Sequence, residues 1–289
     1  MAAERNGNSS MIEDTLKEIV SDLDPLVITA PTIRSGTTLL QRLLCSSPRA
    51  LIYGELCAQD LEFFLNLCAF KSQQYAGQRN EMSTALRNVL AGHVNDWIPG
   101  LMPEISEYLR AIGRSAFSGL TYCRDYAISV GRPCWGFKHP SWNPATIRLM
   151  RAIMPRSRFI FIHRDLEVCL KSAKAQGLTL SKADVEEFCR SWAENRNYML
   201  SLSGEATVLS LQYDDLIREP GATLAQLADF TGLDDIDPDV LNHKINAWKG
   251  EDYIMQAKDG YFEPAELDES DREIIKATAP LESEQARAW

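Results

Sequence analysis

The sequence predicts an α/β protein: a central parallel sheet flanked by helices, with a helical insertion after the second strand. Three observations predict it. Short apolar runs of strand length recur along the 289 residues. Longer stretches with helical spacing separate them, and charged or hydroxyl side chains follow directly after the strands.

Taken in order, residues 1–10 are polar, and 11–24 carry Met11, Ile12, Leu16, Ile19, Val20 and Leu23 on one helical face. "PLVITA" (25–30) has the size of a buried parallel strand. A helix from Gly36 places Leu39, Leu40, Leu43 and Leu44 on one side and stops near Ser46-Ser47-Pro48. "ALIYGE" (50–55) is the second strand, ending on Glu55. Helical patterns then occupy "DLEFFLNLCAF", "NEMSTALRNVLAGHV" and "EISEYLRAI". Strands return at "CWGFKH" (134–139) and "SRFIFIH" (157–163), with the helix "PATIRLMRAIM" between them. Helices are expected at 165–175 and 182–202, a last strand at "ATVLSLQY" (206–213), and a helix at "GATLAQLADFTGL". The expected organisation is a tail and lead-in helix over 1–24 and one domain over 25–289, with 56–131 as a helical cap.

Hydrophobic content of 45% and charged content of 24% suit a globular protein. A net charge of −10 argues against a nucleic-acid or anionic-membrane binder. The seven cysteines are scattered, without a C-x-x-C pair, which fits neither a disulfide framework nor a zinc site. With no apolar leader and no stretch near ~18 apolar residues, the expectation is a cytoplasmic protein with no membrane span. No motif sets its oligomeric state.

In a parallel sheet, ligands sit beyond the carboxyl ends of the strands. Four strand ends bring chemistry there: the loop after the first strand, then Glu55, Lys138 and Arg164. In "TIRSGTTLL", Gly36 allows close backbone approach at a helix N-terminus, where N–H groups and the helix dipole attract a phosphate or sulfate. Ser35, Thr37 and Thr38 add hydroxyls and Arg34 a fixed charge. The same stretch could be a capped helix start, and it lacks the lysine of a nucleoside-triphosphate loop. In "HRDLEVCLKS", Arg164 follows a strand and Ser172 comes eight residues later. Arginine offers planar, bidentate phosphate contacts.

"RSGTTLLQRLL" resembles the 5′-phosphosulfate loop of sulfotransferases that use 3′-phosphoadenosine 5′-phosphosulfate (PAPS). "HRDLEVCLKS" resembles that family's 3′-phosphate motif, and "LQYDDLIREPGATLAQLADFTGL" its later Tyr-x-x-Leu segment. The Arg-Ser-Gly-Thr-Thr form is closer to the tyrosylprotein and carbohydrate types, and to bacterial members, than to cytosolic small-molecule enzymes. In the tyrosylprotein type a Gly-Glu dipeptide supplies the base; "YGEL" offers Glu55, 21 residues after Arg34. That type's Lys-x-Pro is matched by "FKHP", with Lys138 26 residues before Arg164.

The resemblance implies the P-loop-like sulfotransferase fold and in-line transfer of a sulfuryl group to an acceptor hydroxyl, without a metal. It implies Glu55 as general base, with His139 as rival, and Arg34 and Lys138 as charge stabilisers. It assigns Ser35, Gly36, Thr37 and Thr38 to the 5′-phosphate, and Arg164 and Ser172 to the 3′-phosphate. Tyr213 becomes a nucleotide contact or a core tyrosine. Lys249, in "AWKG", becomes the residue closing over the nucleotide, in more acidic surroundings than the family shows. The cap's aromatic residues favour a small-molecule, lipid-like or glycan acceptor that is partly apolar. Two other classes remain open from sequence: a P-loop nucleotide or sugar kinase, and a non-catalytic nucleotide-binding module.

Overall fold

The computed structural model describes residues 14–76, 78–93, 100–243, 245 and 264–284. Five strands form one parallel sheet: β1 (Leu26–Thr29), β2 (Ala50–Tyr53), β3 (Cys134–Lys138), β4 (Arg158–His163) and β5 (Val208–Gln212). Their order across the sheet is β2-β3-β1-β4-β5, and every neighbouring pair is parallel. β1 is therefore central, and the loop after it opens at the point where the strand order reverses, the usual ligand crevice of such sheets.

Alternation along the strands divides the core between two faces. Val27, Phe137, Phe159 and Phe161 pack with Leu61, Leu65, Phe117, Leu120 and Met150 on one side. Leu26, Ile28, Ile160 and Ile162 pack with Leu40, Leu43, Leu44 and Leu227 on the other. The first face carries α2 (Glu55–Ala76), α4 (Ile105–Ser129), α5 (Pro144–Ile153) and α7 (Lys182–Ser201); the second carries α1 (Thr37–Ser46) and α9 (Pro220–Thr231). Helix starts follow local chemistry. Asn143 accepts from the Thr146 N–H ahead of Pro144, and Ser181 with Asp184 forms a capping box.

At the middle of β3, Gly136 lies across from Leu26, and a Cβ there would overlap the Leu26 carbonyl. Residues 14–20 are helical, with Leu16, Val20 and Leu23 buried as the lead-in pattern requires; 11–13 lie outside the described residues. Among the described residues, three helices separate β2 from β3: α2, α3 (Arg79–Leu90) and α4.

Several boundaries differ from the sequence reading. β2 ends at Tyr53 and Glu55 opens α2, because Gly54 breaks the strand. Tyr213 likewise opens α8 (Tyr213–Arg218) instead of ending β5. α4 runs well past the expected 104–112, since Gly113, Ala116, Phe117, Leu120 and Ala127 continue its buried face. α10 (Glu269–Glu284) has no counterpart in the sequence reading; it packs on α7, and Lys174 of α6 (Leu166–Ala175) pairs with its buried Asp271.

Candidate active site

The loop between β1 and α1 takes a shape that few residues tolerate. Arg34 has φ 69° and Gly36 φ 95°, both left-handed. Gly36 is the N-cap of α1, yet no side chain caps the helix and no acidic residue occupies its first turn. Among the described residues, the N–H groups and the positive end of the dipole at this turn are thus left without a side-chain cap. A side chain at Gly36 would overlap the Tyr213 ring, so the loop and α8 are in close contact there.

Arg164 leaves β4 and stacks its guanidinium over Tyr213, 4.2 Å from the ring centroid. Its Nη1 donates to the Arg34 carbonyl at 3.1 Å, while its Nε is buried with no hydrogen-bond partner among the described residues. Arg34 Nε donates to Ser172 Oγ at 3.1 Å. Burial, followed by repulsion from Arg164, lowers the Arg34 pKa from its ordinary value. Neither guanidinium has a carboxylate partner among the described residues. Two adjacent cations with an orphan donor form a site built for an anion.

Sequence reasoning counted the Ser35 hydroxyl toward the loop mouth. It is instead fully buried, donating to the Thr32 carbonyl at 2.9 Å. Thr37 is also buried and Thr38 half-buried.

One strand along, the Lys138 ammonium pairs with the Glu55 carboxylate. Lys138 is 6% exposed and Glu55 46%, so the lysine is fixed from below while the carboxylate meets solvent. Register places Lys138 across from Ile28, directly beneath the start of the phosphate-type loop. His139 turns aside from this pair and stacks on Trp142, centroids 5.4 Å apart. Burial lowers its pKa, against the nearby Glu62 and Glu55.

Two supports were missed from sequence. Trp192 Nε1 donates to the Arg164 carbonyl at 3.3 Å, and Asn195 Nδ2 to the Pro31 carbonyl at 2.9 Å. The signal existed: "WAEN" puts both on one face of a helix at i, i+3. The structure joins Arg34, Gly36, Arg164, Ser172 and Tyr213 into one chain of contacts, with the Glu55–Lys138 pair beside it. Lys249 lies outside the described residues.

The sulfotransferase family model matches residues 25–238, from the start of β1 to beyond α9. The chain belongs to the sulfotransferase family, and it is a sulfotransferase. Among solved structures, it is similar to the sulfotransferase domain of the Synechococcus PCC 7002 olefin synthase: 17% identity, 89% of this chain and 96% of that chain, TM-score 0.47. It is also similar to mouse sulfotransferase SULT7A1 complexed with PAP (12%, 96% and 71%, TM-score 0.44). A third similarity is to STF1 from Mycobacterium tuberculosis H37Rv (16%, 96% and 82%, TM-score 0.42). No curated protein sequence matches the chain. Among the described residues, no helix is long and apolar enough to cross a membrane.

Proposed function

We propose that this sulfotransferase works in the cytoplasm, moving a sulfuryl group in line from PAPS to a hydroxyl of a small-molecule, lipid-like or glycan acceptor, with Glu55 as general base. The observation that carries this reading is the Lys138–Glu55 ion pair on the same rim as the uncompensated Arg34 and Arg164. The α1 N-terminus from Ser35 to Thr38 receives the 5′-phosphosulfate, Ser35 through its backbone N–H because its hydroxyl is already used. Arg164, with its free Nε, and Ser172 receive the 3′-phosphate, and Tyr213 flanks the nucleotide. Lys249 keeps its place as a closing residue on the family resemblance alone. Residues 25–289 act as one domain, with 56–131 as the cap over the acceptor.

In the reaction, Glu55 takes the proton of the acceptor hydroxyl as that oxygen bonds to sulfur. The bond from sulfur to the 5′-phosphate oxygen breaks, and its electron pair stays on that oxygen. Lys138 and Arg34 meet the charge developing there. Lys138 holds Glu55 in the absence of donor; once its ammonium turns to the bridging oxygen, the carboxylate is released to act as base.

Sulfate transfer by Glu55→Ala is expected to fall by about a hundred-fold or more, while stabilisation by 3′-phosphoadenosine 5′-phosphate (PAP) persists in thermal shift. His139→Ala should stay within about tenfold of the parent. Near-normal turnover in Glu55→Ala with loss in His139→Ala would reverse the assignment.

A further inference from the structure

The donor side has a second layer behind it, supplied by α10 and the residues that lead into it. α6 is a ten-residue helix, and it carries Ser172, the acceptor for Arg34 Nε. Two tethers bracket Ser172 along that helix. The Ala265 N–H donates to the Lys171 carbonyl at 3.2 Å, and the Lys174 ammonium pairs with the Asp271 carboxylate. Ala265 lies in the chain entering α10, and Asp271 in its first turn.

The pair is fixed from both sides. The Asp271 side chain is 5% exposed and that of Lys174 22%. The Asp271 carboxylate also accepts from the Asp268 N–H at 3.1 Å, while the Asp268 carboxylate accepts from the Asp271 N–H at 2.9 Å. This reciprocal cap holds the Asp271 carboxylate at the helix start, where the dipole favours it. Removing the lysine would leave that buried charge uncompensated. Packing runs the same way. Leu267 shares a buried cluster with Leu166, Cys169 and Leu170 of α6, and Ile33 of the β1–α1 loop packs against it. Cys169 Sγ lies 3.5 Å from Ser35 Oγ. Trp192, which holds the Arg164 carbonyl, belongs to this cluster too. α6 is thus gripped between the loop that carries Arg34 and the start of α10.

We propose that α10 is the brace of the donor site, with Lys174 and Asp271 as positioning residues for Ser172 and Arg34. The two act through α6, since the Lys174 ammonium is already taken by Asp271. Without the pair, the last turn of α6 shifts, and the Arg34–Ser172 hydrogen bond that aims the guanidinium shifts with it. Anion contacts from a guanidinium and from backbone N–H groups weaken steeply with angle, so aim sets affinity. The assignment rests on the reading of Arg34 and Ser172 as nucleotide groups. A helix that only added buried surface would affect melting and leave the nucleotide's affinity alone.

Variants of the full chain separate the two: Lys174→Met, Asp271→Asn, Lys174→Arg and, as a control, Ile153→Val. Ile153 is buried at the end of α5, beside the start of β4 and away from the rim, and the change removes one methyl group. PAP affinity by calorimetry should fall about tenfold in Lys174→Met and in Asp271→Asn. KM for PAPS should rise to match while kcat stays within about twofold. Lys174→Arg, which keeps the pair, should bind PAP within about twofold of the parent. Ile153→Val should lower the melting temperature without moving PAP affinity. Hydrogen exchange without nucleotide gives a second readout: amides of 32–36 and 166–175 should exchange faster in Lys174→Met than in the parent or Lys174→Arg. A lower melting temperature with unchanged PAP affinity in Lys174→Met, an equal loss of affinity in Ile153→Val, or unchanged exchange at 32–36 would overturn the brace. If the parent itself fails to bind PAP, the donor reading falls, and the exchange pattern still decides whether α10 positions the loop.

Discussion

The two sides of the rim are built on opposite plans. On the donor side, the two arginines and the serine proposed for the nucleotide's charges are tied to neighbours: Arg34 to Ser172, Arg164 to the Arg34 carbonyl and the Tyr213 ring. On the cap side, α2 shows Leu56, Phe63 and Phe70 to solvent at 80%, 69% and 60% exposure. Charge that must be met by fixed partners is met by preorganised groups. An apolar ligand needs only covering surface, which tolerates looser geometry.

Three changes break or sharpen that contrast. The largest effect is expected from Arg164→Ala, which removes the orphan donor and the stack on Tyr213. PAP affinity should fall about a hundred-fold by calorimetry, about 3 kcal/mol for a buried charged donor. A loss under threefold would mean the donor side is not organised around this guanidinium.

Next comes His163, the residue before Arg164, 2% exposed and with neither ring nitrogen hydrogen-bonded among the described residues. Burial, with help from Arg196, holds its pKa down to about 4. The folded chain therefore refuses a proton that the unfolded chain accepts below about 6.5. Its contribution to stability is complete above that value and is lost as pH falls toward 4, by about 2–3 kcal/mol. Urea denaturation between pH 7 and 4.5 should show this slope flattened in His163→Leu relative to the parent. Asp184, Asp235 and Asp239, whose pKa values are lowered by hydrogen bonds, add the same residual slope to both.

The smallest effect belongs to the cap. Phe63→Ser should change unfolding free energy by less than about 0.5 kcal/mol and leave PAP affinity alone. A larger loss would show that the exposed stripe of α2 is covered by something.

Much of the donor side was legible because its chemistry is local. An apolar run, a glycine at a helix start and an arginine at a strand end can each be read within ten residues. What escaped was long-range or directional. Nothing near Gly36 announces that Tyr213 will close against it, nor that the Ser35 hydroxyl turns inward to Thr32. Glu55 was read as a strand end because "ALIYGE" looks continuous; Gly54 allowed the helix to begin there, putting the carboxylate in a first turn. α10 is polar by sequence and owes its helix to packing on α7, which no local pattern reveals. The family resemblance supplied the roles; the residues alone supplied the expectation of an anion-type loop, with an acid and two basic residues at neighbouring strand ends.

Gly136 bears on the whole arrangement. Because the Leu26 carbonyl occupies the space of any side chain there, β3 has one alignment against β1 that it can adopt. A slip by one residue would carry a Cβ into that carbonyl and turn Lys138 to the face now held by Phe137. An atom that is missing two positions upstream thus works as an indexing notch, and the lysine inherits its address from it.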